Sequence, residues 1–409
     1  MDGGGSKAMN TRVAVTGMGV VTGCGTGQTA LYDALRTGQS SVRPVELFDV
    51  STCRCRTAAQ VGTLENPSDR IPRKAWGRLD RASKMLLTAA QEALEEARLA
   101  SGPIHAPLVL GSSGGGMRSG ELYHRALLQN QSRRHAATWL SDYLAQQQPL
   151  HVQRFFDVTG PVLTLANACA SSANAIGYSA QLIAHGEADC VIAGGYDALS
   201  ELIFVGFDSL MAATPTLCRP FDKRRDGMVL GEGAAVLVLE KFECASARHA
   251  NILAEIRGYG QSIDTHHITQ PHPEGDGAYA AMRLACETAG VEAGEIDYVN
   301  AHGTATPQND AMEAKAIRRL LNARAAAVPV SSTKATTGHT VGAAGAVESV
   351  ISILALKNQF VPPNVNFESP DEGCALNVPA AAQSRPLRTV LSNSFGFGGL
   401  NASLLFSLP

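Results

Sequence analysis

Twice in this chain a short apolar strand runs into a polar turn that carries one reactive side chain, and the turn opens a helix of small residues. The first instance is residues 162–166 (VLTLA), then NACASS at 167–172 with Cys169, then a helix to about residue 185. The second is residues 328–332 (VPVSS), then TKATTGHT with His339, then a helix over about 341–357. Units of this kind demand a sheet covered by helices. Their recurrence argues an internal duplication.

The rest of the chain keeps the rhythm. Residues 12–16 (RVAVT) read as a buried strand leading into a turn rich in glycine, at Gly17, Gly19, Gly23 and Gly25. Residues 82–99 have helical spacing, with Glu92, Glu95 and Glu96 on the wet side. Residues 107–110 form a strand running into GSSGGG (111–116), and 118–158 read as helical and polar. Further strands are expected at 189–193, 234–240, 253–262, 296–300, 389–392 and 403–407, and a helix at 276–289. The alternation predicts an α/β fold with largely parallel sheets. No Pro/Ser-rich linker divides it, so one compact unit is expected, with one half over 11–250 carrying Cys169 and another over 251–409 carrying His302 and His339. Residues 1–10, with their GGGS, read as a linker appended for expression, with Met9 as the native start.

Composition narrows the function classes. At 45% hydrophobic and 17% charged, the 409 residues fit neither disorder nor a coiled coil. A net charge of −3 gives no reason to propose nucleic-acid binding. Nine scattered cysteines with no CxxC pair suit neither a disulfide scaffold nor a zinc site, and they point to a reducing, cytoplasmic setting. No uninterrupted apolar run reaches the roughly 18 residues of a membrane helix.

Three side chains carry the chemistry. Cys169 sits where a strand meets a helix N-terminus, whose dipole is expected to lower the thiol from its usual value of about 8.5. Cys190 and Cys286 lie within apolar runs and read as inert core. His302, in NAHGTAT, and His339, in TTGHTVGAAG, stand at strand ends, where open α/β sheets place their sites. Two neutral imidazoles with donor N–H groups would hold a thioester carbonyl as it gains negative charge, favouring an enolate. Lys334 lies five residues before His339, and Asp310 and Glu313 follow His302 on one helix face; a Lys–carboxylate pair would fix charge around both rings. The turn in SNSFGFGGLN (392–401) offers backbone N–H groups for an oxyanion hole. His266, His267 and His272 in DTHHITQPHPEG fit no zinc spacing and read as a polar loop. No nucleotide-binding glycine motif is present.

Together these motifs resemble the β-ketoacyl-acyl-carrier-protein synthases of the thiolase superfamily, above all the stand-alone elongating enzymes of bacterial type II fatty acid and polyketide synthesis. The resemblance runs from VAVTGMGVVT (13–22) through RPFDKRRDGMVLGEGAAVLVLE (219–240), NAHGTATPQND (300–310) and STKATTGHTVGAAGAVE (332–348) to NSFGFGGLNASLLF (393–406). It implies a thiolase-like fold of five layers, α-β-α-β-α, usually dimeric, and a ping-pong reaction. The acyl chain would pass from an acyl carrier protein to Cys169. Malonyl-carrier protein would then lose carbon dioxide with help from His302 and His339, and the enolate would attack the thioester. The resemblance assigns oxyanion donation to the backbone N–H groups of Cys169 and Phe397, gating to Phe397, and pantetheine contact to Thr304 and Thr306. It has Glu313 position Lys334 near the histidines. It places a structural sodium or potassium ion at Asn300, Glu348, Ser392 and Asn393. No other cofactor is implied.

There are departures. ASSANAIG follows the nucleophile where fatty acid enzymes often have ATGANAIG, and Leu400 replaces a usual Thr. Gly114 stands where some relatives place a bulky residue at the floor of the acyl pocket, which would lengthen the tunnel towards a dimer partner. Arg73, Lys74 and Arg78 form one basic cluster and Arg133 with Arg134 another, near positions that contact the acidic carrier in relatives. The rival readings are a chain-length-factor subunit, a coenzyme-A-dependent thiolase or chalcone-synthase type, a Cys-His hydrolase and a non-enzymatic binding module. The first commonly has Gln in place of the cysteine, the second a second cysteine or a Cys-His-Asn set, and the third needs a base oriented by another group. A heterodimer of a ketosynthase with a related subunit stays open beside a homodimer.

Overall fold

The strand Val13–Thr22 is buried along all ten residues and runs straight through Gly17 and Gly19, which the sequence places in a turn. The reason is packing. A Cβ on Gly17 would meet the Ala93 carbonyl oxygen at 2.1 Å, and one on Gly19 the Ala89 carbonyl oxygen at 2.0 Å. These glycines let the helix Arg81–Glu96 lie directly on the strand. The computed structural model describes residues 11–130 and 133–409, with side chains at all of these except 133–136.

Ten strands and the short Gly25–Thr26 form one eleven-stranded sheet whose two halves share a topology. In the first half the spatial order is Val162–Leu165, Leu108–Gly111, Cys190–Asp197, Gly233–Lys241, Val13–Thr22. In the second it is Val330–Ser331, Tyr298–Asn300, Thr389–Gly396, Leu400–Ser407, Ala254–Ile263. Numbered along the chain, both halves read third, second, fourth, fifth, first. In both, the first three strands in space are parallel and the last two pairings antiparallel, so only the fourth strand in space runs against the others. The sheet is therefore mixed rather than largely parallel. The halves join where Val13–Val15 pairs with Ala254–Ile256. The glycine device is repeated too: Cβ atoms on Gly258 and Gly260 would meet the carbonyl oxygens of Ala285 and Ala281, each at 2.0 Å. There the covering helix is Asp276–Ala289.

Those two helices cover the outer faces. Between the two halves of the sheet lie Ser171–Ala184 and Ala344–Asn358, packed on each other and on strands of both halves, so the layers run α-β-α-β-α. Small residues make this possible: a Cβ on Gly345 would stand 2.6 Å from the Ala173 backbone nitrogen. The stretch Val341–Asn358 is long and apolar enough to cross a membrane, but 89% of it is buried inside the fold. The span read as helical and polar resolves into Met117–Leu128, Arg133–Tyr143 and Gln147–Phe156. The SFGFGG turn is shorter than the sequence suggests, a single 3₁₀ turn at Phe397–Gly399 between two long strands.

Candidate active site

Both inner helices begin beside the same point. Cys169 precedes the helix Ser171–Ala184, on an elbow in which Ala168 takes a left-handed conformation with φ 50°. Such a conformation costs a non-glycine residue on the order of 1–3 kcal/mol, so its surroundings must hold it. The Ala168 carbonyl oxygen accepts from the Ser171 hydroxyl at 2.6 Å, the Ser113 hydroxyl at 2.9 Å and the Ser171 amide at 3.1 Å. The Ser171 hydroxyl also accepts from the Asn167 amide at 2.8 Å. Ser171 and Ser113 thus brace the elbow, while the Ser172 hydroxyl accepts from the Ala346 amide on the other inner helix at 2.9 Å.

The second half delivers the histidines to this elbow. His339 Nε2 is 3.0 Å from Cys169 Sγ. The His302 and His339 rings meet edge to face with centroids 5.4 Å apart, and Phe395 flanks His302 at 5.9 Å. All three reactive residues are buried, with exposures of 5%, 2% and 0% for Cys169, His302 and His339. They line the inner end of a cavity of about 250 Å³ shared with Thr304, Thr306, Phe207, Met312 and Phe397. The Phe397 ring lies on Phe207 with centroids 5.6 Å apart, and the Thr304 and Thr306 hydroxyls are 2.8 Å from each other.

Burial sets the protonation states. It holds both imidazoles well below their usual range, helped by the Lys334 ammonium, so both are neutral. It pushes the Cys169 thiol up to about 11, against the pull of Lys334 and the backbone N–H groups of Phe397 and Cys169. This corrects the expectation of a lowered thiol: Cys169 lies ahead of the first helical turn, and desolvation outweighs the dipole. The Nδ1 atoms of both rings are buried without partners. Neither tautomer is locked, so a proton on Nε2 can face the sulfur or the cavity.

The supporting charges also differ from the expected arrangement. Lys334 pairs with Glu348, not with Glu313, and donates to the His302 carbonyl oxygen at 2.5 Å. Glu313 is committed elsewhere. Its oxygens accept from the amides of His302 at 2.8 Å and Gly303 at 2.7 Å and from the Asn393 side chain at 3.1 Å. It therefore fixes the loop of one histidine, while Lys334 and Glu348 bridge that loop to the inner helix. Burial pushes the Glu313 carboxyl up to about 7 and Asp310 to about 6. Asp310 accepts from the amides of Phe221 at 2.7 Å and Ala305 at 3.1 Å, two residues held at positive φ.

Other expected positions lie further out. Gly114 does not line the cavity; its amide binds Asp197, and a Cβ there would stand 2.8 Å from the Ile203 side chain. Arg73, Lys74 and Arg78 are exposed and apart from the cavity, while the side chains of Arg133 and Arg134 lie outside the described residues. Asn300 and Ser392 pair across adjacent strands. Asn300 Oδ1 and Glu348 Oε2 are buried without partners, whereas Asn393 Oδ1 is taken by the Ser403 hydroxyl at 2.9 Å.

Sequence reasoning missed Asp197. It is fully buried and binds the Ser112 hydroxyl and the amides of Ser113, Gly114, Gly115 and Gly342. One carboxylate so ties the GSSGGG loop to the turn after His339. The available signal was an acidic residue ending an otherwise apolar strand. His267, read as part of a plain polar loop, lines the cavity mouth.

Comparison with known proteins agrees with this geometry. Residues 10–245 match the β-ketoacyl synthase N-terminal domain and residues 253–368 its C-terminal domain. The chain belongs to the β-ketoacyl synthase family. It is a condensing enzyme of the acyltransferase type. It is 39% identical to the 3-oxoacyl-[acyl-carrier-protein] synthase 2 of Coxiella burnetii, over 97% of this chain and 98% of that protein. To the synthase 2 of Staphylococcus aureus it is 36% identical, over 98% and 99%. Among solved structures, the ishigamide ketosynthase/chain length factor matches with a TM-score of 0.92 and 34% identity, covering 98% of this chain and 99% of that one.

Proposed function

We propose that this chain joins an acyl group held on Cys169 to a malonyl unit presented on the phosphopantetheine arm of an acyl carrier protein. The observation that carries the reading is the meeting of Cys169 Sγ and His339 Nε2, with a second neutral imidazole beside them at the end of one cavity. In the first half-reaction Cys169 sulfur attacks the carrier thioester, and the carrier thiol leaves with the cysteine proton. In the second, the malonyl C–C bond to the carboxylate breaks, carbon dioxide departs, and the electron pair is held as an enolate. Nε2–H groups of His302 and His339 stabilise that enolate oxygen. The enolate carbon attacks the Cys169 thioester, whose oxyanion is held by the amides of Cys169 and Phe397. Collapse frees the cysteine and the 3-oxoacyl-carrier product.

The remaining residues take supporting roles in this reading. Thr304 and Thr306 grip the pantetheine, and Phe397 on Phe207 gates the cavity. Lys334 with Glu348, and Glu313 and Asp310 on the opposite side, hold the histidine loops. Gly114 would lengthen an acyl tunnel towards a dimer partner only with the Ile203 side chain, 2.8 Å from where its Cβ would stand, moved aside. Arg73, Lys74 and Arg78, with Arg133 and Arg134, meet the acidic carrier. Asn300, Ser392 and Glu348 offer oxygen ligands to a structural monovalent cation, to which the committed Asn393 oxygen adds little. The repeated strand order supports treating 11–250 and 251–409 as the two halves. The setting is cytoplasmic, in fatty acid or specialised polyketide or polyene synthesis.

A second reading concerns the partner. The likeness to the ishigamide ketosynthase/chain length factor supports a heterodimer in which this chain, having the cysteine, is the active subunit; the alternative is a homodimer. The test of the function is to supply acyl-carrier and malonyl-carrier protein and follow the products by mass. A 3-oxoacyl-carrier species two carbons longer, formed with carbon dioxide release, is expected. Turnover with coenzyme A thioesters but not with carrier-bound substrates would overturn it.

A further inference from the structure

The donor set of the site is also that of a tetrahedral zinc centre with one open position. Cys169 Sγ and one ring nitrogen each from His302 and His339 all lie within 4.8 Å of one another. In a tetrahedral complex, with Zn–S about 2.3 Å and Zn–N about 2.0 Å, such donors stand roughly 3.3–3.6 Å apart. His339 Nε2 and Cys169 Sγ, at 3.0 Å, are already closer than that. No spacing exceeds 4.8 Å, so none has to close by more than roughly 1.5 Å. Nδ1 has no partner in either histidine, so no hydrogen bond at that atom holds either ring in its present orientation. All three residues line the cavity, from which a water would complete a four-coordinate shell.

We infer that the Cys169–His302–His339 cluster captures a thiophilic divalent ion, zinc by chemical class, and that this capture reversibly silences the enzyme. The inference rests on the functional reading of the same three residues. The step is an exchange. Zinc binds the sulfur, the thiol proton leaves to solvent, and the two imidazoles each give a lone pair. The site's charge rises by one, against which the nearby Lys334 ammonium is already balanced by Glu348. An acyl group on Cys169 removes the thiolate donor, so acylated enzyme is protected. Hard ions such as magnesium and calcium prefer oxygen ligands and are not captured. Asp264 and His267 at the cavity mouth lie on the ion's way in.

The experiment first measures acyl transfer to Cys169 in metal-free buffer. It then titrates the same protein with zinc chloride and counts bound metal by elemental mass spectrometry after desalting. Cobalt(II) is run in parallel for its thiolate charge-transfer absorption. One equivalent bound, activity lost in step and restored by a chelator, and at least tenfold less metal on enzyme acylated beforehand support the inference. The acylation control uses unaltered protein, so it does not depend on Cys169→Ala folding. Metal bound equally by acylated protein, or lost only in His266→Ala/His272→Ala, overturns it by placing the ion on the exposed histidines. No metal on enzyme that acylates and condenses normally also overturns it, leaving the functional reading intact. Failure to acylate in the metal-free step counts against the functional reading instead.

Discussion

His339 Nε2 stands 3.0 Å from Cys169 Sγ, a contact between residues 170 apart in sequence that joins the two halves of the molecule. The pair is uncharged at rest, because burial raises the thiol and lowers the imidazole together. A division of labour follows. Replacing His302 or His339 with Ala removes one donor to the developing enolate, with an expected loss of about 10²–10³ in condensation rate. Acylation of Cys169 should be largely kept. Single-turnover mass measurements separate the two steps, and loss of acylation in either variant would reverse the assignment.

The raised thiol has its own signature. With the Cys169 pKa at about 11, its alkylation by iodoacetamide should climb about tenfold per pH unit from roughly pH 7 to 10, because only the thiolate reacts. The rate is read on the Cys169 peptide. A plateau near the ordinary thiol value of about 8.5 would contradict the upward shift, and one below it would show a stabilised thiolate.

The buried imidazoles make stability acid-sensitive. At these two rings the folded state binds fewer protons than the unfolded chain below about pH 6.5, so each ring costs up to about 1.4 kcal/mol per pH unit as pH falls. Glu313 acts oppositely: its carboxyl is raised from 4.5 to about 7, so the stability it adds at low pH is lost as pH rises through that window. Comparing His339→Gln with the unaltered protein isolates the ring. Denaturant unfolding should show the variant gaining relative stability below pH 6.5 and no trend above it.

Lys334 and Glu348 are both buried, and removing one partner strands the other's charge. Lys334→Ala is expected to cost about 3–5 kcal/mol in unfolding free energy. Lys334→Met with Glu348→Leu should recover most of that stability without restoring condensation, since the bridge between the His302 loop and the inner helix stays broken. Full activity in the double variant would deny the pair its positioning role.

The close approach of strand and helix at Gly17 is equally testable. Gly17→Ala places a methyl 2.1 Å from the Ala93 carbonyl oxygen, and overpacking of this kind costs about 1–3 kcal/mol. Gly62→Ala, where a Cβ meets nothing, is the control and should change stability little.

How much of this could be read in the sequence depended on whether the determinant was local. Cys169, His302 and His339 each carry a local signature, a polar turn between a buried strand and a helix. The five-strand rhythm of each half is local too. What escaped was settled by distant contacts. Lys334 pairs with Glu348, fourteen positions on, because both Glu313 oxygens are spent on backbone amides. Gly17 and Gly19 read as turn residues until a helix some seventy positions away is placed on them. The thiol shifts upward because burial, invisible in a strand-to-helix motif, outweighs the helix dipole. Asp197 gathers donors from two distant segments, 112–115 and Gly342, so an acidic residue ending an apolar strand shows its role only once both are placed.

The central claim is that Cys169 carries the acyl chain. The most direct test is intact-mass analysis after incubation with a panel of acyl-carrier proteins. One acyl mass on the unaltered protein, absent from Cys169→Ala, is the predicted result and would also name the preferred chain. Equal labelling of the variant would contradict it.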